Sequence, residues 1–365
     1  ADYLVEEMLI TIRRGSISVN QAKDMFSDGS FSMETDEQLE AANRVIKHML
    51  LSKEYRPSIR NVFIGCLRSL AQVNSASALA FGEAFIDELP DERAIRTLIQ
   101  VHGKSGNFTR PMELLKQMPR SDWKREQLQR ITNPSRLLKS GLTQLKRESI
   151  SMVPQDRTVL YHASQSMPHT TSGYAIRTHG LISAIRNHEY NIEAVLRHGY
   201  PLDRTDFKGE IVEKHEEIDN IRYNFLSHSL NSSQLINYQE VYNFNMIEKY
   251  QQQATDSLLE FAIKKKPAII HSASNFVVGM AGVKAAKILG IPSIYEIRGF
   301  WHLTQSTKRG GYESSDHYAL TERLEIKTAM EADHVFTITN ALRDILIENG
   351  VKGDKISVLP NAVDP

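Results

Sequence analysis

The chain has 365 residues, of which 41% are hydrophobic and 24% are charged. These proportions are ordinary for soluble globular protein, and the length indicates two or three domains with sizeable cores. Lysine plus arginine equals aspartate plus glutamate at 44 each, so the overall charge does not favour a nucleic acid partner. The single cysteine, Cys66, cannot form an intrachain disulfide and is expected to be a small core residue in a reducing compartment.

The sequence contains no uninterrupted apolar stretch of the roughly 20 residues that a membrane span needs. The nearest candidate, Phe276 to Leu289, is interrupted by Lys284 and Lys287, and Glu6 and Glu7 interrupt the only early apolar run. We therefore expect a cytoplasmic protein without a secretory signal. Peripheral contact with the inner face of the membrane stays open.

The first part of the chain, up to about Ile131, shows only helical periodicity. Residues 76–89 repeat apolar side chains at the spacing of one helix face, and Gly103 is expected to end the next helix. The stretch from Thr97 to Met118 resembles the helical hairpin of tetratricopeptide-like repeats. Residues 1–131 are therefore predicted to form a separate all-α domain of helical hairpins. Such a domain is either a bundle that only packs or a docking surface for a protein partner.

The second part of the chain follows residues 132–156, which are largely polar and are predicted to be a linker. From Thr158 onwards, short β-branched runs alternate with helical segments. Strands are predicted at 158–161, 192–195, 268–271, 293–297, 335–338 and 356–359, and helices at 174–186, 241–263, 277–289, 319–330 and 341–348. This alternation requires right-handed crossovers, so residues 157–365 are predicted to form an α/β domain with a doubly wound, mostly parallel, Rossmann-like sheet. Ligands of such sheets lie beyond the carboxyl ends of the strands.

The loop after the first predicted strand leads to Ser172, Gly173 and Tyr174 at the start of a helix. A glycine there lets a ligand approach the backbone, and a helix N-terminus favours an anionic or polyhydroxyl group. An ordinary β–α turn with a capped helix explains the same residues. His271, which ends a later strand, either contacts substrate or forms a hydrogen bond within its loop. No G-x-G-x-x-G is present, which argues against a nicotinamide dinucleotide site.

The predicted strand 293–297 ends with Glu296 and Ile297, and Arg298 follows it directly. Glu296 and Arg298 therefore lie on one face, and Trp301 comes three residues later. Buried charges are costly unless they pair or face a cleft, and the planar fork of arginine suits phosphate or carboxylate. Trp301 offers a flat apolar surface of the kind on which sugars stack. The cluster is therefore either part of a substrate site or a structural ion pair with Trp301 in the core.

Several segments, in this order along the chain, resemble the N-terminal, acceptor-side domain of GT-B glycosyltransferases of the retaining family 4 ("group 1"). These segments are residues 172–178, 295–301, 332–339, 350–351 and 356–364. The resemblance covers about Arg157 to Pro365 and leaves the helical region outside.

The resemblance implies two Rossmann-like domains that face each other across a cleft, with the acceptor on the N-terminal domain and a UDP- or GDP-linked sugar on the C-terminal one. It implies no cofactor and no metal, because basic side chains and a helix N-terminus neutralise the leaving diphosphate. Arg298, where many members have a histidine, and Glu296 are then the catalytic candidates. Asn361 belongs to the hinge. The candidates for substrate binding are Ser172, Gly173, Tyr174, His271 and Trp301.

The function implied is that of a retaining hexosyltransferase that acts on a glycan or lipid-linked acceptor in surface polysaccharide synthesis. The paired glutamates with which the family holds the donor are not in the sequence. We therefore expect a fragment that ends before the C-terminal domain and is inactive alone. The alternative is a non-catalytic scaffold whose helical region docks a partner. An epimerase is disfavoured, because both the glycine fingerprint and a convincing Tyr-x-x-x-Lys dyad are missing.

Overall fold

The computed structural model describes residues 2–27, 35–52, 56–143, 148–209, 212–230 and 234–362. The chain divides into a helical unit, residues 1–139 with 308–318, and an α/β unit, residues 140–307 with 319–365. The last residues of the predicted hinge motif, 363–365, lie outside the described residues. Across the described ranges, every helix is too short or too polar to cross a membrane.

The helical unit holds eight helices in the residues that the structure describes. They are α1 (Asp2–Arg13), α2 (Val19–Ser27), α3 (Thr35–Leu51), α4 (Arg56–Val73), α5 (Ser75–Phe85), α6 (Glu92–Ser105), α7 (Thr109–Gln117) and α8 (Asp122–Ser140). Their apolar faces meet in one core that includes Phe63, Cys66, Phe81 and Leu98, all fully buried. The all-helical character predicted for this region is confirmed, and α6 and α7 form the predicted pair of neighbouring helices.

Two details of the helical region differ from the prediction. Helix α6 continues past Gly103 and is capped by Gly106, whose φ of 87° is a left-handed conformation that glycine adopts without strain. The expectation that Gly103 ends this helix was therefore wrong. Helix α8 runs through residues 132–140, which the sequence assigned to the linker, with Pro134 inside it. The predicted domain boundaries stay predictions.

The segment 308–318 belongs to the helical unit although it lies far along the chain. The Asp316 carboxylate accepts hydrogen bonds from the backbone N–H groups of Phe108 and Thr109, at 2.8 and 2.6 Å. Phe108 is the N-cap of α7 and has no side-chain acceptor of its own. Asp316 therefore caps α7 and places a negative charge at its positive end.

The α/β unit contains one eight-stranded sheet in the described residues, ordered β3-β4-β2-β1-β5-β6-β7-β8. The strands are β1 (Thr158–Ala163), β2 (Asn191–Leu196), β3 (His215–Ile218), β4 (Ile221–Phe225), β5 (Ile269–Ala273), β6 (Ser293–Ile297), β7 (His334–Thr337) and β8 (Ile356–Val358). All neighbours are parallel except β3 and β4. The predicted mostly parallel α/β sheet is therefore confirmed.

Seven helices accompany the sheet in the described part of the chain. They are α9 (Gly173–Arg186), α10 (Tyr238–Tyr242), α11 (Ile247–Lys265), α12 (Phe276–Leu289), α13 (Trp301–Ser306), α14 (Asp316–Glu331) and α15 (Asn340–Glu348). Ile182 of α9 packs with Tyr161 on one face of the sheet, whereas α11 and α12 pack with Leu160 and Ile270 on the other. The crossovers thus change face between β1 and β5, the point at which doubly wound sheets bind ligands.

Two features of the α/β unit were not predicted. The single helix expected at 241–263 is two helices, because Phe244 between α10 and α11 has a left-handed φ of 63° and a fully buried ring. Strands β3 and β4 form a hairpin around Asp219 and Asn220, whose φ values of 49° and 60° are those of a tight hairpin turn. The strands predicted from the sequence do not include this hairpin.

Candidate functional site

An open groove of about 1230 Å³ runs along α9 in the α/β unit. One end of the groove is the start of α9, and the segment that follows β8 forms one wall. Residues that line it and bear on the argument are Gly173, Tyr174, Arg177, Arg298 and Asn361. The groove therefore contains four of the predicted site residues together with Arg177, which lies in the segment 172–178 but is not among the predicted site residues.

The carboxylate of Glu296 lies at the end of β6 beneath this groove and is completely buried. It accepts hydrogen bonds from the Tyr161 hydroxyl at 2.6 Å, from Arg177 Nε at 2.8 Å and from Arg298 Nε at 3.0 Å. His271 Nε2 lies 3.2 Å from the same carboxylate. Strands β1, β5 and β6 are adjacent in the sheet, which is why side chains so distant in sequence meet here.

The guanidinium of Arg298 is also buried, and all five of its N–H groups have acceptors within the protein. Nε bonds to Glu296, and Nη1 bonds to the Tyr174 carbonyl at 2.7 Å and the Thr178 hydroxyl at 2.8 Å. Nη2 donates to the Tyr161 hydroxyl at 2.7 Å and to Glu296 at 3.3 Å. In this arrangement Arg298 contributes charge to the groove rather than a spare hydrogen-bond donor.

The charges of this cluster stabilise one another. Burial alone would raise the pKa of Glu296, but the hydrogen bond with His271 and the charge of Arg298 hold that pKa far below its usual range. Burial lowers the pKa of Arg298, yet the neighbouring Tyr161 and Glu296 keep it above its usual value. Burial, followed by the charge of Glu296, raises the pKa of the Tyr161 hydroxyl. At neutral pH the cluster therefore holds one carboxylate, two guanidinium groups and a neutral tyrosine.

The start of α9 opens onto the groove. Ser172 is the N-cap, and its hydroxyl accepts from the Ala175 N–H at 3.3 Å and from Gln165 Nε2 at 2.7 Å. Gly173 is exposed and has no atom within 4 Å of the place where a Cβ would stand. The positive end of the helix dipole therefore faces a space that an anionic group can enter.

The remaining candidates lie in different surroundings. His271 is buried between Tyr161 and Phe336, with ring centroids 4.5 and 5.8 Å away, and it reaches Glu296 rather than the groove. Trp301 begins α13 and is half-buried against Tyr242, at 5.1 Å between ring centroids. The structure thus joins His271 to the charged cluster and places Trp301 in a separate aromatic contact. The substrate-binding roles of both stay predictions.

Two members of the cluster, Arg177 and Tyr161, were missed as site residues. Arg177 follows Ser172 and Gly173 within one of the motifs on which the resemblance rests, so its charge next to the apolar Ala175 and Ile176 was an available signal. Tyr161 lies in the middle of an apolar strand, where its ring is typical of a core residue. Nothing in its sequence context indicates that the hydroxyl reaches a buried charge.

Fold and site together define a doubly wound α/β domain with a groove, lined by Arg177 and Arg298, at the carboxyl edge of its sheet, next to the point where the crossovers change face. Residues 237–365 match the model of Glycosyltransferase Family 4, and this part of the chain is a domain of that family. The matched segment contains His271, Glu296, Arg298, Trp301 and Asn361 but begins after α9. The resemblance to this family is thereby confirmed for 237–365.

Among solved structures, the chain is similar to the UDP-GlcNAc 2-epimerase from Methanocaldococcus jannaschii. Sequence identity is 13% and the TM-score is 0.35, over 56% of this chain and 45% of the epimerase chain. This chain therefore corresponds to less than half of the epimerase. No curated protein matches the sequence.

Proposed function

We propose that this chain is part of a nucleotide-sugar-dependent glycosyltransferase, with the groove along α9 next to the reacting groups. The observation that carries the proposal is the combination of a family 4 domain with a groove into which a helix N-terminus and two arginine residues point. Arg177 and Arg298 carry two positive charges against the single negative charge of Glu296. This surplus of positive charge within the cluster suits the diphosphate of a nucleotide sugar, while the Asp219 carboxylate, which also lines the groove, is paired with His179 at 3.0 Å.

The chemistry follows from where charge develops in such a transfer. The bond between the sugar and the diphosphate breaks, and the nucleoside diphosphate leaves with the electron pair. The oxygen of the acceptor hydroxyl forms a new bond to the sugar, and its proton passes to the leaving diphosphate. Fixed positive charge next to the leaving group lowers the barrier because it need not reorganise during the reaction. Arg298, held by five hydrogen bonds, is suited to this electrostatic role, and Glu296 acts by positioning Arg177 and Arg298.

The proposal also covers the donor, the stereochemistry of transfer and the acceptor. We propose a UDP- or GDP-linked hexose as donor, transfer with retention, and a glycan or lipid-linked acceptor in surface polysaccharide synthesis. The donor-binding residues of such enzymes are contributed by a second domain. Accordingly, the chain by itself is proposed to be inactive. Peripheral contact with the membrane would bring a lipid-linked acceptor to the groove.

The test uses the full-length gene product with a panel of UDP- and GDP-sugars, in which hydrolysis and transfer are measured together. Wild type is compared with Arg298→Ala, Arg298→Lys and Tyr174→Ala, and with Arg222→Ala as the control. Arg222 is an exposed arginine of the same unit that pairs with Glu217 at the surface. Circular dichroism establishes that each variant is folded.

We expect turnover with one donor, a loss of about 100-fold in Arg298→Ala, and an unchanged rate in Arg222→Ala. Tyr174→Ala is a second test of the groove in case Arg298→Ala does not fold. The Tyr174 side chain lies beside the groove and is 40% exposed, so its removal should leave the fold intact. A folded protein that turns over none of the donors would contradict the proposal. The non-catalytic scaffold, with a protein partner on the helical unit, would then be the better explanation.

A further inference from the structure

Arg177 connects the buried charged cluster to the chain segment that follows β8. Its Nε donates to Glu296 Oε1 at 2.8 Å. On the other side, Nη2 donates to the Leu359 carbonyl at 2.9 Å, and Nη1 donates to the Pro360 carbonyl and to Asn361 Oδ1, each at 3.0 Å. One planar side chain, itself 11% exposed, thereby supplies three hydrogen bonds to this segment.

The segment 359–361 has little other support in the sheet. It follows β8, the last strand of the sheet in the described residues, and Pro360 and Asn361 are exposed. Its backbone hydrogen bond to the neighbouring strand β7 joins the Leu359 N–H to the Thr337 carbonyl, at 2.7 Å. Charge-assisted hydrogen bonds are stronger than neutral ones, so the contacts of Arg177 are a large part of what fixes the segment.

A single oxygen joins this segment to the groove wall. Glu296 Oε1 accepts from Arg177 Nε and also from Arg298 Nε, at 2.8 and 3.0 Å. Arg298 in turn donates to the Tyr174 carbonyl and the Thr178 hydroxyl in the first turns of α9. Segment 359–361 is thereby connected through two guanidinium groups to the start of α9.

We propose that Arg177 is a positioning residue that fixes segment 359–361 relative to Arg298 and the N-terminus of α9. Its importance for turnover rests on the proposed transferase function, whereas its effect on the segment does not. Lysine cannot replace it, because an ammonium group that neutralises Glu296 lacks the planar fork that also reaches three acceptors beyond it.

The first measurement is hydrogen–deuterium exchange of this chain, read in peptides that cover residues 356–362. Arg177→Lys is compared with wild type, and Arg177→Ala is included where it folds. The matched control is Arg186→Ala, because Arg186 lies on the same helix, is exposed and donates to the Asn220 carbonyl instead. Asn361→Ala is a graded variant that removes only one of the three bonds to the segment.

We expect the Leu359 amide to exchange at least about tenfold faster in Arg177→Lys, a smaller increase in Asn361→Ala and none in Arg186→Ala. The strands β1 and β5 should keep their wild-type exchange, which a general loss of stability would not allow. Wild-type exchange at Leu359 in Arg177→Lys, or an equal increase throughout the sheet, would overturn the proposal.

The second measurement is turnover and donor affinity in the full-length gene product. We expect Arg177→Lys to lower kcat at least about tenfold, because misplacement of reacting groups by about 1 Å has effects of this size. Equal kcat values in Arg177→Lys and wild type would overturn the link to catalysis. If wild type itself has no turnover, the transferase function fails while the exchange result still decides the role of Arg177.

Discussion

The substitution Glu296→Gln tests whether the buried cluster stabilises the α/β unit. The Glu296 carboxylate is 0% exposed, and it is within hydrogen-bond distance of donors on Tyr161, Arg177, Arg298 and His271. Glutamine keeps the shape of the side chain but removes its charge, and it turns one acceptor into a donor that faces other donors. Two guanidinium groups then remain in the protein without their shared carboxylate.

The expected loss of unfolding free energy comes from the two arginine side chains that remain without their carboxylate. Removal of one partner from a buried ion pair costs about 3–5 kcal/mol, because the remaining charge is uncompensated in a medium of low polarity. Arg177 retains its carbonyl acceptors at Leu359 and Pro360, and Arg298 retains the Tyr174 carbonyl and the Thr178 hydroxyl. These remaining bonds place the estimate at the lower end, about 3 kcal/mol of unfolding free energy.

The assay uses the two tryptophans of the chain, since Trp123 lies in the helical unit and Trp301 in the α/β unit. In a Trp123→Phe background, the fluorescence of Trp301 reports unfolding of the α/β unit alone. Urea is the denaturant, because guanidinium chloride would screen the charges under study. The slope of free energy against urea must agree between variants for the comparison to hold.

Glu217→Gln is the control for this measurement. Glu217 pairs with Arg222 at 2.8 Å, but both side chains are about half exposed, so its removal should change the free energy by less than about 1 kcal/mol. If Glu296→Gln cost no more than Glu217→Gln at equal slope, the claim that the buried carboxylate compensates both arginines would be refuted.

Three further predictions concern pH and packing. Burial raises the pKa of Glu325 to about 7, although its hydrogen bonds with Tyr295 and the Phe276 N–H act against this rise. Between about pH 4.5 and 7 the folded α/β unit therefore holds a proton that the unfolded chain releases. Its unfolding free energy should fall by about 3 kcal/mol as pH rises through this range. In the Trp301 assay, Glu325→Gln should abolish this decline and Glu331→Gln, at the end of the same helix, should retain it; a decline that persists in Glu325→Gln would contradict the assignment. In the helical unit, burial tends to raise the pKa of Glu83, but hydrogen bonds from His102 and Arg110 lower it to about 2, so this unit should lose about 1 kcal/mol as pH falls from about 4.5 towards 2. Fluorescence of Trp123 in a Trp301→Phe background measures this loss, which Glu83→Gln should remove; an unchanged acid profile would exclude Glu83 as its origin. Finally, Gly282→Ala should cost about 1–3 kcal/mol, because its Cβ would stand 1.8 Å from Ser272 Oγ, whereas Gly180→Ala on α9 meets nothing within 4 Å and should be neutral or slightly stabilising. Equal free energies of unfolding for these two alanine variants would show that α12 has room to move away from β5.

Most of the α/β fold was predictable because its elements are encoded locally. The strand 158–161 and the helix 174–186 were expected within a few residues of β1 and α9, since β-branched runs and helical spacing need no knowledge of distant contacts. The hairpin of β3 and β4 was missed although Asp219-Asn220 is a favourable pair for its turn. Strand β4 alternates apolar and polar residues and β3 is polar except for Ile218, which is a weaker signal than the continuous apolar runs of the central strands.

Long-range contacts set the limit of the prediction in both units. The cap of α7 comes from Asp316, 208 positions after Phe108, so no local pattern around Phe108 could indicate it. In the same way, Glu296 and Arg298 were predicted to be functional or paired, but Tyr161 and Arg177 lie 135 and 119 positions away from Glu296. The strand order brings Tyr161 to Glu296, and the position of α9 on the sheet brings Arg177 to it. The sequence pattern predicts a parallel sheet without specifying which strands are neighbours.

The sequence had presented pairing and substrate binding as alternatives for the charges at the end of β6, and the geometry shows why they are compatible. A carboxylate that bonds to one arginine would neutralise it and leave the cluster without net charge. Glu296 instead bonds to two, so the cluster is held by ion pairs and still retains one positive charge beside the start of α9. The same buried carboxylate can therefore stabilise the fold and leave a positive charge beside the start of α9, where we propose that the diphosphate binds.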